Sequence, residues 1–193
     1  MKDLFLAVFV LASPVAMATQ MEGFGANYYQ DESSVPSYNT NLDLAPQVIV
    51  GGSLFVMEFS RLADITKITG VTVNQGEKAS WLCLTSKDIN YWFISDNEMG
   101  QGYLTSLAVA RTGQQKDCSS YNGDLGVTVR GVPLLNASLE NLSTTFPNKP
   151  DGNIIQYCND TKSYGDFTQM NCLQYYLENN NVEGIFISQI TSN

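Results

Sequence analysis

Four cysteines behind an export signal constrain this chain more than any other feature. Lys2 and the amino terminus give a short positive region, Leu4 to Ala12 an apolar run, and Ser13-Pro14 breaks it. Ala16-Met17-Ala18 then sets small residues where a signal peptidase reads. The run is shorter than the roughly 20 apolar residues that span a bilayer. Residues 1–18 are therefore expected to leave as a signal peptide, giving a mature chain of 193 − 18 = 175 residues in a periplasmic or secreted setting. In an oxidising compartment Cys83, Cys118, Cys158 and Cys172 favour disulfides over metal or redox chemistry, and no Cys-x-x-Cys spacing occurs. Three pairings exist on paper. The local one, Cys83 with Cys118 and Cys158 with Cys172, closes loops of 118 − 83 = 35 and 172 − 158 = 14 residues. Loops of that length are worth roughly 3–4 kcal/mol each in the chain-entropy model.

Composition removes several function classes. The chain has no histidine, so Ser-His-Asp triads, Cys-His pairs and imidazole-based zinc sites are excluded. With 10 basic against 19 acidic residues the net charge is -9, which cannot neutralise a phosphate backbone; nucleic acid is not an expected partner. No cofactor motif occurs. Gly100-Gln-Gly102 has no following helix to make a phosphate loop, and no Ser-x-x-Lys signature supports a dyad. The expectation is a non-enzymatic protein.

Residues 19–46 read as a polar, turn-rich arm without sustained periodicity, poorly ordered or irregular. Beyond it a pattern recurs. Ser60 to Gly70 has helical spacing, with Leu62 and Ile65 on one side and Gly70 placed for a left-handed cap. Strand-like segments follow at Trp81–Thr85, Asn90–Ser95 and Tyr103–Ala110. A second helix is expected over Ala137–Phe146, then strands at Asn153–Cys158, Cys172–Leu177 and Val182–Ile190. Leu62 maps to Leu139 and Ile65 to Leu142, a shift of 77. The expected fold class is α+β, as two tandem helix-plus-antiparallel-sheet modules over residues 47–118 and 119–193.

Alternation assigns faces. Leu173, Tyr175 and Leu177 should face the second helix, leaving Gln156, Cys158, Cys172, Gln174 and Tyr176 on the other side, which independently favours a Cys158–Cys172 bridge. In the first module Leu82, Leu84, Trp92 and Ile94 are expected inward. Trp81, Tyr91 and Phe93 then look outward with Tyr176 as an aromatic face, suited either to a partner or to intramolecular cover.

The repeat spacing, cysteine placement and aromatic sheet over about Gln47 to Asn193 resemble the beta-lactamase inhibitory protein family. That resemblance implies an exported fold of two modules with one disulfide each, blocking an enzyme through an aromatic sheet surface and turn loops. The same module is similar to the small lipoprotein of the outer-membrane barrel assembly machinery. The primary expectation is thus a protein-binding module, an inhibitor or immunity-type antagonist of an enzyme or toxin. Trp81, Tyr91, Phe93 and Tyr176 would supply contact area, and the Asp96-Asn97-Glu98 turn charge. Alternatives are a structural or assembly factor of the bacterial cell envelope, and a hydrolase built on paired carboxylates. Asp96 and Glu98 lack the ligand count of a calcium loop and read first as a solvated turn. Asn136, Asn141 and Asn159 head glycosylation-type triplets, which are accidental in a bacterial protein.

Overall fold

The computed structural model describes residues 19–30, 35–111, 115, 117–135, 137–148 and 152–193; the expected signal peptide lies outside the described residues. A 3-10 turn over Gly23–Tyr29 comes first, followed by β1 (Ser37–Asn39), β2 (Pro46–Val50) and β3 (Ser53–Phe55). Then come α1 (Leu62–Thr69), β4 (Asn74–Gln75), β5 (Ala79–Ser86), β6 (Ile89–Asp96), β7 (Ser106–Ala110), β8 (Ser119–Ser120) and β9 (Leu125–Val129). The chain ends with α2 (Leu139–Thr145), β10 (Ile154–Tyr164), β11 (Phe167–Glu178) and β12 (Asn181–Ser192).

Local rules explain these elements. Gly70 ends α1 at φ 73, with its N–H on the Thr66 carbonyl, as its position in the sequence suggests. Ser138 and Asn141 form a capping box that starts α2. Lys87 and Asp88, both at positive φ, make the two-residue turn between β5 and β6, and Asn179-Asn180 does the same between β11 and β12.

The fold is not two helix-plus-sheet modules. It is mostly β, with 48% strand against 14% helix, and its strands make one nine-stranded mixed sheet and one three-stranded sheet. The large sheet runs β1-β10-β11-β12-β7-β6-β5-β4, with β8 added alongside β5. The expected helix-then-three-strands repeat holds only after α2; α1 is followed by six strands, β4 to β9, and β12 and β7 are hydrogen-bonded neighbours from Gly184↔Ala110 to Ser188↔Ser106. That pairing erases the boundary expected between modules. The small sheet β3-β2-β9 likewise joins residues near 50 to residues near 127.

Both sheet faces are covered. On one side α1, α2 and the small sheet enclose a core that includes Val48, Leu62, Ile65, Leu82, Phe93, Leu142, Phe146, Tyr157, Tyr175 and Ile185. On the other, Met21, Phe24, Tyr28 and Tyr29 close over Trp81, Trp92, Ile94, Ala108 and Phe186. Residues 19–30 of the arm, expected to be poorly ordered or irregular, are thus a packed strap. Its Gly25 lies against Trp92, where an added Cβ would come within 2.6 Å of the indole.

Both bridges of the local pairing are present, Cys83–Cys118 and Cys158–Cys172. Cys158 stands directly opposite Cys172 in the β10–β11 ladder. Among the described residues no helix is long and apolar enough to cross a membrane.

Candidate functional site

The aromatic face expected from alternation forms only in part: Trp81 and Tyr176 lie on the side away from the helices, covered by the amino-terminal segment, whereas Tyr91 and Phe93 do not. Trp81 is paired with Ile94, Leu82 with Phe93 and Leu84 with Tyr91, so Tyr91 and Phe93 share the helix side with Leu82 and Leu84. Trp92 and Ile94 lie on the opposite side with Trp81. The two-residue Lys87-Asp88 turn fixes this register. Sequence contrast could not reveal it, because β6 is buried on both faces from Asn90 to Ser95. Trp81, Tyr91 and Phe93 are all buried. Tyr176 is half-buried, and the ring of Phe24 meets it edge-on at 4.8 Å. Burial pushes the Tyr91 phenol pKa up, with Arg111 opposing.

The acidic turn is where the sequence puts it, but two of its three side chains are structural. Asp96 accepts from the Glu98 and Met99 N–H groups through Oδ1, both at 2.8 Å, and from the Tyr28 hydroxyl through Oδ2 at 2.5 Å. Asn97 donates to the Gly76 and Glu77 carbonyls at 2.9 and 3.0 Å and accepts from Ser80. Glu98 alone of the three is exposed. Of the glycosylation-type asparagines, Asn141 belongs to the α2 capping box and Asn159 donates to the Leu42 carbonyl. Asn136 lies outside the described residues.

By holding the turn, Asp96 sets Met99 at the rim of a groove of about 410 Å³. Its other walls are Glu58 and Phe59 from the segment after β3, Tyr103, Thr105, and Phe167, Gln169 and Thr191 from the far ends of β11 and β12. Phe59 is 75% exposed, Met99 55% and Phe167 47%. A second hollow of about 280 Å³ continues from it, sharing Glu58, Met99 and Thr105 and adding Asp96, Phe186 and Gln189.

Glu58 lines both hollows. It sits at φ 62, a conformation few non-glycine residues adopt, with its N–H on the Leu104 carbonyl at 2.7 Å. That backbone turns the carboxylate onto β12, where the strand has run past the end of β7. Oε1 accepts from the Thr191 N–H at 2.8 Å. Oε2 accepts from the Thr191 hydroxyl at 2.7 Å and from the Gln169 and Gln189 amides, both at 3.1 Å. Beside it the Arg61 guanidinium lies 4.2 Å from the Tyr103 ring centroid and donates to its hydroxyl at 2.8 Å.

A larger hollow of about 640 Å³ opens beside Cys118, between Lys87-Asp88 and Tyr121–Asp124. Its lining is mainly polar, and none of the large exposed apolar side chains borders it. Among the described residues no group of three or more His, Cys, Asp or Glu is placed to hold a metal ion.

Sequence reasoning missed Glu58, Phe59, Met99 and Phe167. A signal for two of them existed: a large apolar residue at a turn tip, Met99 before Gly100-Gln-Gly102 and Phe167 after Gly165-Asp166, has no local reason to be there. Set against models of protein families, curated proteins and solved structures, the chain matches none.

Proposed function

We propose that this chain is an exported protein that works by binding another protein, with the Glu58 groove as its contact surface. The observation that carries the reading is the convergence of Phe59, Met99 and Phe167, all well exposed, on one groove. Large apolar side chains gathered around a concavity are costly to keep in water, and they are what a partner desolvates. The surrounding architecture suits a rigid platform. Asp96 and Asn97 pin the turn that carries Met99, and the Glu58 hydrogen bonds tie the Phe59 segment to the sheet. The two disulfides fit an oxidising compartment. The surface first expected from Trp81, Tyr91 and Phe93 is replaced in this reading, because those side chains lie under the strap or in the core. Glu98 stays in it as an acidic group close to the rim. In its narrower form the protein antagonises the partner it captures.

The test is affinity capture by the mature chain, residues 19–193, from secreted and envelope fractions, alongside a Phe59→Ser/Phe167→Ser variant. Both substitutions are at exposed positions and should leave the melting temperature within about 3 °C of wild type. A soluble protein held by wild type and lost by the variant supports the reading, and its activity with and without this chain reads antagonism directly. The same proteins retained equally by both would refute it.

A further inference from the structure

We infer that the groove receives a lysine or arginine side chain of the partner protein; this rests on the groove being a protein-docking site. Glu58 lines both hollows, and its carboxylate is held by neutral donors: two amides, a hydroxyl and a backbone N–H. Neutral donors fix its position without cancelling its charge. Among the described residues the only salt bridge is Lys67–Asp64 on α1, so Glu58 has no cationic partner there. Arg61, three residues along, is committed to Tyr103. Asp96 borders the second hollow, Glu98 follows it in the turn, and the chain as a whole carries -9.

An occupant must therefore satisfy two demands. It must cover Phe59, Met99, Tyr103 and Phe167, and it must bring positive charge to Glu58. A neutral apolar side chain would strip water from the carboxylate and return nothing. An acidic one would meet like charge. Lysine and arginine meet both demands, because the aliphatic stem lies along apolar walls while the head reaches the carboxylate. A groove near 410 Å³ is within the size range of sites that enclose such a group.

The experiment titrates the isotopically labelled mature chain with four probes that differ at one position: acetyl-Leu-X-Leu-amide with X as lysine, arginine, norleucine or glutamate. Amide shifts are read at Glu58, Gln169 and Thr191. The expected result is that the lysine and arginine probes bind at least about 10-fold more tightly than norleucine, with an advantage that shrinks as salt is raised. A Glu58→Gln variant should lose that preference; if it does not fold, the salt dependence on wild type decides. Equal binding of lysine and norleucine at those amides overturns the cation inference and leaves the docking reading standing. No shift with any probe at millimolar concentration overturns both.

Discussion

Tyr157 shows how much one buried side chain can depend on its surroundings. Its ring stacks on Phe146 with centroids 3.7 Å apart and planes within 6°, and its hydroxyl donates to the Asn148 carbonyl at 2.6 Å. Burial, with a smaller contribution from Tyr38, pushes its pKa up to about 12. An unfolded tyrosine ionises near 10. Because the folded value is the higher one, the neutral form is favoured by folding; the stability it represents is intact below pH 10 and disappears as pH rises toward 12. Tyr175, pushed up further by burial, keeps its contribution to still higher pH. Urea denaturation at pH 8 and pH 11 should therefore show a loss of stability that is smaller in Tyr157→Phe than in wild type. At pH 8 the variant should cost about 1 kcal/mol for the hydrogen bond removed. An unchanged pH slope would show that Tyr157 ionises as freely as an exposed phenol. At this scale the sequence was legible where chemistry is local: Gly70 as a cap, Cys158 and Cys172 on one face. Glu58 was not legible, since its positive φ is imposed by the Leu104 contact and by β12, both remote in sequence.

Among the elements, the helices and the strands β5, β6, β7 and β12, with parts of β10 and β11, were readable from period and turn residues, whereas the small sheet and the amino-terminal strap were not. A seven-residue 3-10 turn is too short to show a periodic stripe, and its glycines read as loop. Its function in the fold becomes visible only from the other side, where Trp81 and Trp92 need a cover. The strap supplies Phe24, whose ring lies 6.3 Å from Trp92 and 4.8 Å from Tyr176, and Tyr28, whose hydroxyl is fixed by Asp96. It thereby couples the sheet's second core to the turn that carries Met99. Gly25 is the point of closest approach. A methyl group there would sit 2.6 Å from Trp92, a side chain only 1% exposed with no room to retreat. Gly25→Ala should accordingly lift the strap, cost about 1–3 kcal/mol, and shift tryptophan emission to the red as water reaches the indoles. Unchanged emission and midpoint would mean that the strap does not pack on Trp92 in solution.

For the whole molecule, the repeat in the sequence identified which strands follow which helix but carried no information about which edges meet. Edge pairing is decided by shape and burial between segments about 75 residues apart, and alternation within a strand is silent on it. The answer here is that each half ends on the strand that joins it to the other: β7 ends the first set of three, β12 the second, and they pair over five residues. Further ties cross the expected boundary, β2 with β9 and β5 with β8, and β1 from the arm pairs with β10. One hydrophobic core contains side chains from both halves, Leu82 and Phe93 with Tyr175 and Ile185 among them. Cutting between residues 118 and 119 would leave β7 and β12 as bare apolar edges and strip β2 of β9, one of its two partners, conditions that favour aggregation over folding. The chain should then unfold in a single transition. Both tryptophans belong to the first half, so their fluorescence reports that half, while slowly exchanging amides of Leu173 and Ile187 report the second. The expected result is one denaturant midpoint for both probes, together with no independent folding of fragments 47–118 and 119–193. Two separated midpoints, or a fragment with native-like amide dispersion, would show that the halves hold their structure alone and that the β7–β12 ladder merely joins them.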